Sequence, residues 1–158
     1  MADQISLEVH GLPELNEMLS QLPARIAKQV FGRALKVAGQ VVKTEMVGRC
    51  PVKTKDAGPK SNSLPDGALK ADIGSKVSLY PQNNAGACRI GPSAETAYVA
   101  VWLEYGHAKV SHGKKRNRKT LGNVPAIPFM RQSADATAQT AVDAFAAELG
   151  AGIEALNG

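Results

Sequence analysis

The chain has little of what marks a catalyst or a secreted scaffold. Only 4% of its 158 residues are aromatic, so its core must be aliphatic and alanine-rich, which suits helices packed closely on a small sheet. Cys50 and Cys88 are the only cysteines. They are too few for a disulfide framework and match no metal spacing, so they read as buried or incidental thiols in a reducing compartment. No run approaches the ~20 apolar residues of a bilayer span, and no membrane association is expected. Met1-Ala2-Asp3-Gln4 has neither a basic n-region nor an apolar h-region, so no secretory signal is expected there.

Signatures of catalysis are also missing. There is no HExxH, no GxSxG, no P-loop and no dinucleotide fingerprint. General acid–base work needs paired titratable groups in a dry cleft, whereas the acids here are dispersed along the chain. His107 and His112 lie five apart beside no carboxylate or thiolate, a weak basis for a metal-dependent hydrolase. The expectation is a protein that is not an enzyme and holds no cofactor or metal.

What is present is periodicity. A chain of this length fits one domain. Gln4–His10 alternates polar and apolar residues, a strand pattern with Ile5, Leu7 and Val9 on one face. A short helix is predicted from Pro13 to about Ser20. Pro23 suits the first turn of a longer helix, whose apolar stripe runs through Ile26, Val30, Ala34, Val37 or Ala38, and Val41. That helix should stop before Pro51; a helix so long spans the whole body or borders a neighbouring subunit.

Residues 51–68 read as a mobile loop. Strands are predicted over 71–80, Ala87–Gly91 and Tyr98–Tyr105, the first two joined by a turn at Pro81–Gly86, giving an antiparallel meander. A last helix should run from Pro128 to Leu156 through Phe129, Ala134 or Ala136, Ala141 or Val142, Phe145, Leu149 and Ile153, weakened near its end by Gly150 and Gly152. The predicted fold is α+β: a small antiparallel sheet covered by a long N-terminal and a long C-terminal helix.

Charge is concentrated in one place. Between Gly106 and Gly122 stand Lys109, Lys114, Lys115, Arg116, Arg118 and Lys119, with no acid among them. The formal net charge is +5, so the rest of the chain sums to −1. A polybasic segment of this kind, predicted as a mobile loop over 106–124, is either a surface for a polyanion or acidic neighbour, or a solvated loop that keeps the protein soluble. It lacks interleaved aromatics for base stacking and a helix-turn-helix context. Any contact with DNA should therefore be through phosphates and without sequence choice. Glu104, at the end of the apolar run, is either a buried acid or intersubunit ion-pair partner, or a strand-end carboxylate that caps the loop or pairs with Lys or Arg.

The order of short motifs resembles a known family. Gly11-Leu12 with Glu14-Leu15 comes first, then Leu22-Pro23 opening the long helix with its Ala34-Leu35. Cys50-Pro51-Val52 and Gly67-Ala68-Leu69-Lys70, expected to open a strand, follow. Tyr98 and Tyr105 come next with Glu104 and Gly106, and Ile127-Pro128-Phe129-Met130-Arg131 opens the final helix. Over about residues 5 to 156 this set is similar to the tail-component family of lambdoid tailed bacteriophages, the tail-completion or neck proteins. In two places it departs from that pattern. Lys53 to Asp66 intervene where the family joins its proline-valine and glycine-leucine elements compactly, and the loop between Gly106 and Pro128 is long and basic.

The resemblance implies a non-catalytic virion protein of the neck or tail, assembled in the host bacterial cytoplasm. It implies a homo-oligomeric ring, a hexamer or else a dodecamer, at the head–tail junction around the DNA channel. Adjacent connector, tail-tube or terminator proteins and non-specific contact with phage DNA follow from that role. The alternative function is a small basic DNA-binding protein without sequence preference.

Overall fold

Two prolines bracket the first long helix. In a computed structural model, which describes residues 24–52, 64–80, 85–111 and 119–157, α1 spans Ala24–Arg49 over 26 residues. It ends short of Pro51, whose ring disfavours helical continuation in the residue before it. The other long helix, α4, spans Phe129–Asn157 over 29 residues and starts just after Pro128. At 1.5 Å per residue these are rods of roughly 39 and 43 Å.

The rods run antiparallel. Val30 and Ala34, early in α1, pack on Leu149 and Ile153, late in α4, with Phe145 beside them. Met46 and Cys50, at the far end of α1, share a second cluster with Phe129, the first residue of α4. Phe31 meets Phe145 edge-on at 5.6 Å between centroids, and Arg33 pairs with Glu148. The core face of α4 repeats every fourth residue, through Phe129, Ser133, Leu149 and Ile153. Ser133 therefore takes the buried position expected for Ala134 or Ala136, both of which are exposed. Its hydroxyl donates to the Phe129 carbonyl at 2.6 Å, so the polar atom is satisfied within its own helix. Gly152, expected only to weaken the helix, has a use: a Cβ there would collide with the Val30 side chain. Its cost of about 1 kcal/mol relative to alanine is the condition for close approach of α1.

Strands β1 (Gly74–Tyr80) and β2 (Ala85–Gly91) form an antiparallel hairpin in register from Gly74 opposite Gly91 to Tyr80 opposite Ala85. The hairpin lies across α1, with Gly86 against Phe31 and Leu35, and Cys88 and Ile90 against Gly39. Cys50 and Cys88 are free thiols, and burial pushes both up from their ordinary range, with Lys70 opposing the shift at Cys50. The other elements among the described residues are a short helix α2 (Ala68–Asp72), helix α3 (Ala97–Tyr105), and strands β3 (His107–Val110) and β4 (Thr120–Val124).

The architecture is α+β with antiparallel strands, as expected, but the meander is not. Tyr98–Tyr105 is helix, not a third strand. Among the described residues the strands form two separate two-stranded hairpins, β1–β2 and β3–β4. Gly67-Ala68-Leu69-Lys70 opens helix α2, with the strand beginning only at Gly74. The described parts of 106–124 are strands rather than open loop. The predicted strand 4–10 and helix 13–20, most of the predicted 51–68 loop, and residues 81–84 of the turn lie outside the described residues. Among the described residues no helix is long and apolar enough to cross a membrane.

Candidate interaction surface

The segment from Asp72 to Arg131 builds one surface at the end of the body where α1 stops and α4 starts. Its foundation is Asp72, the last residue of α2. One carboxylate oxygen, Oδ2, accepts from the Thr96 hydroxyl at 2.5 Å, the Ser93 hydroxyl at 2.7 Å and the Ser93 N–H at 2.9 Å. These bonds fasten the turn that launches α3. The Thr96 hydroxyl, then the Ser93 hydroxyl and N–H, hold the Asp72 carboxyl below its ordinary range against an opposing desolvation.

A depressed folded-state pKa means that this stabilisation is complete above the usual carboxylate pKa of about 4 and is lost as pH falls through the lower folded value. Asp72→Asn should therefore lower stability at pH 7. The gap between variant and wild type should then shrink at about pH 3, read as urea midpoints at both pH values. A gap that stays constant would remove the carboxylate from this role.

Helix α3 turns two faces in different directions. Thr96, Ala100 and Glu104, four apart, are buried. Tyr98, Val101, Trp102 and Tyr105 occupy the spacing of an outward stripe and are exposed, Trp102 by 49% and Tyr105 by 70%. The stripe is ordered. Tyr98 meets Trp102 edge-on at 5.1 Å, Trp102 lies 5.3 Å from His107, and the Arg131 guanidinium sits 5.2 Å from the Tyr105 ring centre.

Glu104 is the joint. It is 4% exposed and reaches the first turn of α4, where Oε2 accepts from the Met130 N–H at 3.0 Å and Oε1 from the Arg131 N–H at 3.0 Å. Pro128 precedes α4 and has no side-chain acceptor with which to cap it, so a carboxylate from another helix does so. The same N–H groups and the helix dipole favour negative charge there. Arg131 closes the arrangement, donating from Nε to Oε1 at 2.9 Å and from Nη2 to the Glu104 carbonyl at 3.1 Å. Glu104 thus stands at a helix end rather than a strand end, and it pairs with Arg131 of its own chain.

Gly106 ends α3 with φ 72° and ψ 171°. The chain then enters the β3–β4 hairpin, registered from His107 opposite Val124 to Val110 opposite Thr120, with a bulge that leaves Leu121 extra. Every residue of β3 is exposed, as is all of β4 except Val124. Two lone strands with neither face covered are marginal in water. Lys109 and Lys119 are exposed on this hairpin. Lys114, Lys115, Arg116, Arg118 and His112 lie between the strands in sequence and outside the described residues. Among the described residues no three His, Cys, Asp or Glu side chains converge on a metal-sized site.

The structure thus brings Glu104, His107, Lys109 and Lys119 into one region. The sequence pattern did not point to Asp72, Ser93 or Thr96, nor to the helical stripe, and it held Arg131 only as part of the motif that opens the last helix. No protein-family model, no curated protein and no solved structure matches the chain.

Proposed function

We propose that the chain is an architectural subunit of the neck of a tailed bacteriophage virion. In this reading it completes the tail or joins head to tail as one member of a ring around the DNA channel, assembled in the host cytoplasm. The observation that carries the proposal is the pairing of a stiff two-helix body with a large uncovered surface, the aromatic stripe of α3 and the free-standing cationic hairpin. Exposed apolar patches of this kind mark contact sites between proteins, and tyrosine, tryptophan and arginine are the residues that most often carry such contacts.

A ring subunit needs a rigid core, two different lateral surfaces and extended elements that reach adjacent rings. The motif order along the sequence supplies the specific setting. The reading takes the ring as a hexamer, with a dodecamer as the other closure, and takes connector, terminator or tail-tube proteins as its neighbours. Hairpin cations at the channel would give weak, salt-sensitive contacts to phosphate that allow DNA to slide.

Deleting the gene should leave filled heads and finished tails unjoined in electron micrographs, and supplying the chain in trans should restore infectious particles. Normal particles from the deletion strain would overturn the proposal. The alternative, a small basic DNA-binding protein, draws on the same hairpin. Submicromolar affinity of the isolated chain for duplex DNA at physiological salt, falling steeply as salt rises, would favour it instead.

A further inference from the structure

The two long helices carry opposite charge. Along α1 there are six cations against one acid, and along α4 one cation, Arg131, against four acids. Asp135 and Asp143 are exposed. They fall midway between the every-fourth-residue core positions of α4, hence on the side turned away from α1. Gln139, exposed between the two aspartates, donates to Asp143 Oδ1 at 2.8 Å; to the sides Ala136, Ala146 and Ala147 are exposed and leave shallow ground against which large side chains can lie.

The aromatic stripe of α3 with Lys109 and Lys119 is the complement of that face, apolar at its centre and positive at its edge. Paired with itself about a two-fold axis it would bring the exposed Lys109 and Lys119 of both copies together, like charge toward like. The outward surface of α1 has the wrong sign. We infer that the stripe-and-hairpin surface of one copy docks on the Asp135–Asp143 face of α4 in a second copy of this chain, in a head-to-tail contact. This inference deepens the reading of the chain as one of several copies and rests on it. Trp102 and Tyr98 fill the centre of the contact, and Lys109 and Lys119 meet Asp135 and Asp143 at its rim. A contact between unlike surfaces propagates, and it closes when the rotation between copies divides a full turn.

The test is charge exchange in the full chain, read by sedimentation equilibrium at low salt up to ~1 mM, the range of weak association. The wild type should gain mass with concentration. Lys109→Glu with Lys119→Glu should weaken association at least about tenfold, as should Asp135→Lys with Asp143→Lys in a separate chain. All four changes together should restore it to within about threefold, since the contact is again between opposite charges. Mixing the two double variants should restore it as well. Trp102→Ser should weaken association without the possibility of charge rescue. All these positions are exposed, and unchanged far-ultraviolet circular dichroism checks the fold.

A wild type that stays monomeric, a Trp102→Ser chain that associates normally, or a fourfold variant that fails to recover would each overturn the inference. So would association that appears only on adding short duplex DNA, which would assign the surface to a polyanion. The two readings fail separately. Heads and tails left unjoined by the deletion, with no self-association of the chain, would retain the neck role and reject this contact; charge rescue with normal deletion-strain particles would do the reverse.

Discussion

Glu104→Ala should cost the folded chain about 3 kcal/mol, measured as the loss in unfolding free energy from urea titration. The variant removes an acceptor with each of its two oxygens engaged, and leaves the Met130 and Arg131 N–H groups at the start of α4 without a side-chain partner. Hydrogen bonds to a charged group contribute about 1.5–3 kcal/mol each, and the helix dipole adds a few tenths. The guanidinium adds little, because Arg131 is 59% exposed and water screens it, whereas the Glu104 side chain is 6% exposed. Arg131→Ala should accordingly cost less than about 1 kcal/mol. Equal losses for the two variants would mean that the ion pair, not the cap, holds the joint. Glu104→Gln should fall between, since one acceptor oxygen survives.

Gly106→Ala should be of similar size, about 3 kcal/mol. A φ of 72° with ψ of 171° lies in a region that is essentially reserved for glycine, where any other residue is strained by about 1–3 kcal/mol. Space is the second obstacle: a Cβ would sit 2.6 Å from the Val124 carbonyl oxygen and 3.1 Å from the Ala126 nitrogen. Both are backbone atoms of the segment leading into α4, so relief means moving the chain itself. Gly48 provides the contrast: it lies near the end of α1, and a methyl group there would meet nothing within 4 Å. Gly48→Ala should be neutral or stabilising by up to about 1 kcal/mol. Thermal or urea unfolding of the pair separates local strain from a general intolerance of added methyl groups.

The long helices were legible because their limits are chemical. Pro23, Pro51 and Pro128 flank or open them, and the steps of three and four through Ile26, Val30, Ala34, Val37 or Ala38, and Val41 fit a helix and not a strand. The β1–β2 hairpin was legible from alternation. Helix α3 was not, for a physical reason: Ala97–Tyr105 is apolar at nearly every position, so period two and period 3.6 fit it equally well. The deciding signals were quieter. Thr96, Ala100 and Glu104 recur every fourth residue, and Gly106 follows at the position where helices end in a glycine.

The same ambiguity hid the candidate surface. Read as a strand, the run puts Tyr98 and Trp102 on one face and Tyr105 on the other; read as a helix, it gathers them into one stripe. Glu104 was singled out from sequence as a carboxylate in an apolar setting. Its partner was not legible, because the Met130 and Arg131 N–H groups are backbone atoms brought to it only by packing. The cations of the hairpin were evident from composition, whereas the opposite charge of α1 and α4 became meaningful only once the two helices were seen side by side.

The fastening at Glu104 also has a mechanical consequence. The cationic hairpin leaves the body through Gly106, two residues past the carboxylate that grips the first turn of α4. A tug on the hairpin therefore enters α4 near its tip and travels lengthwise, the direction in which a hydrogen-bonded rod yields least. The rod is continuous from Phe129 to Asn157, and its far end is locked to the opposite end of α1 by Leu149 and Ile153. One unbroken helix thus connects the pole that carries the hairpin to the pole where α1 begins.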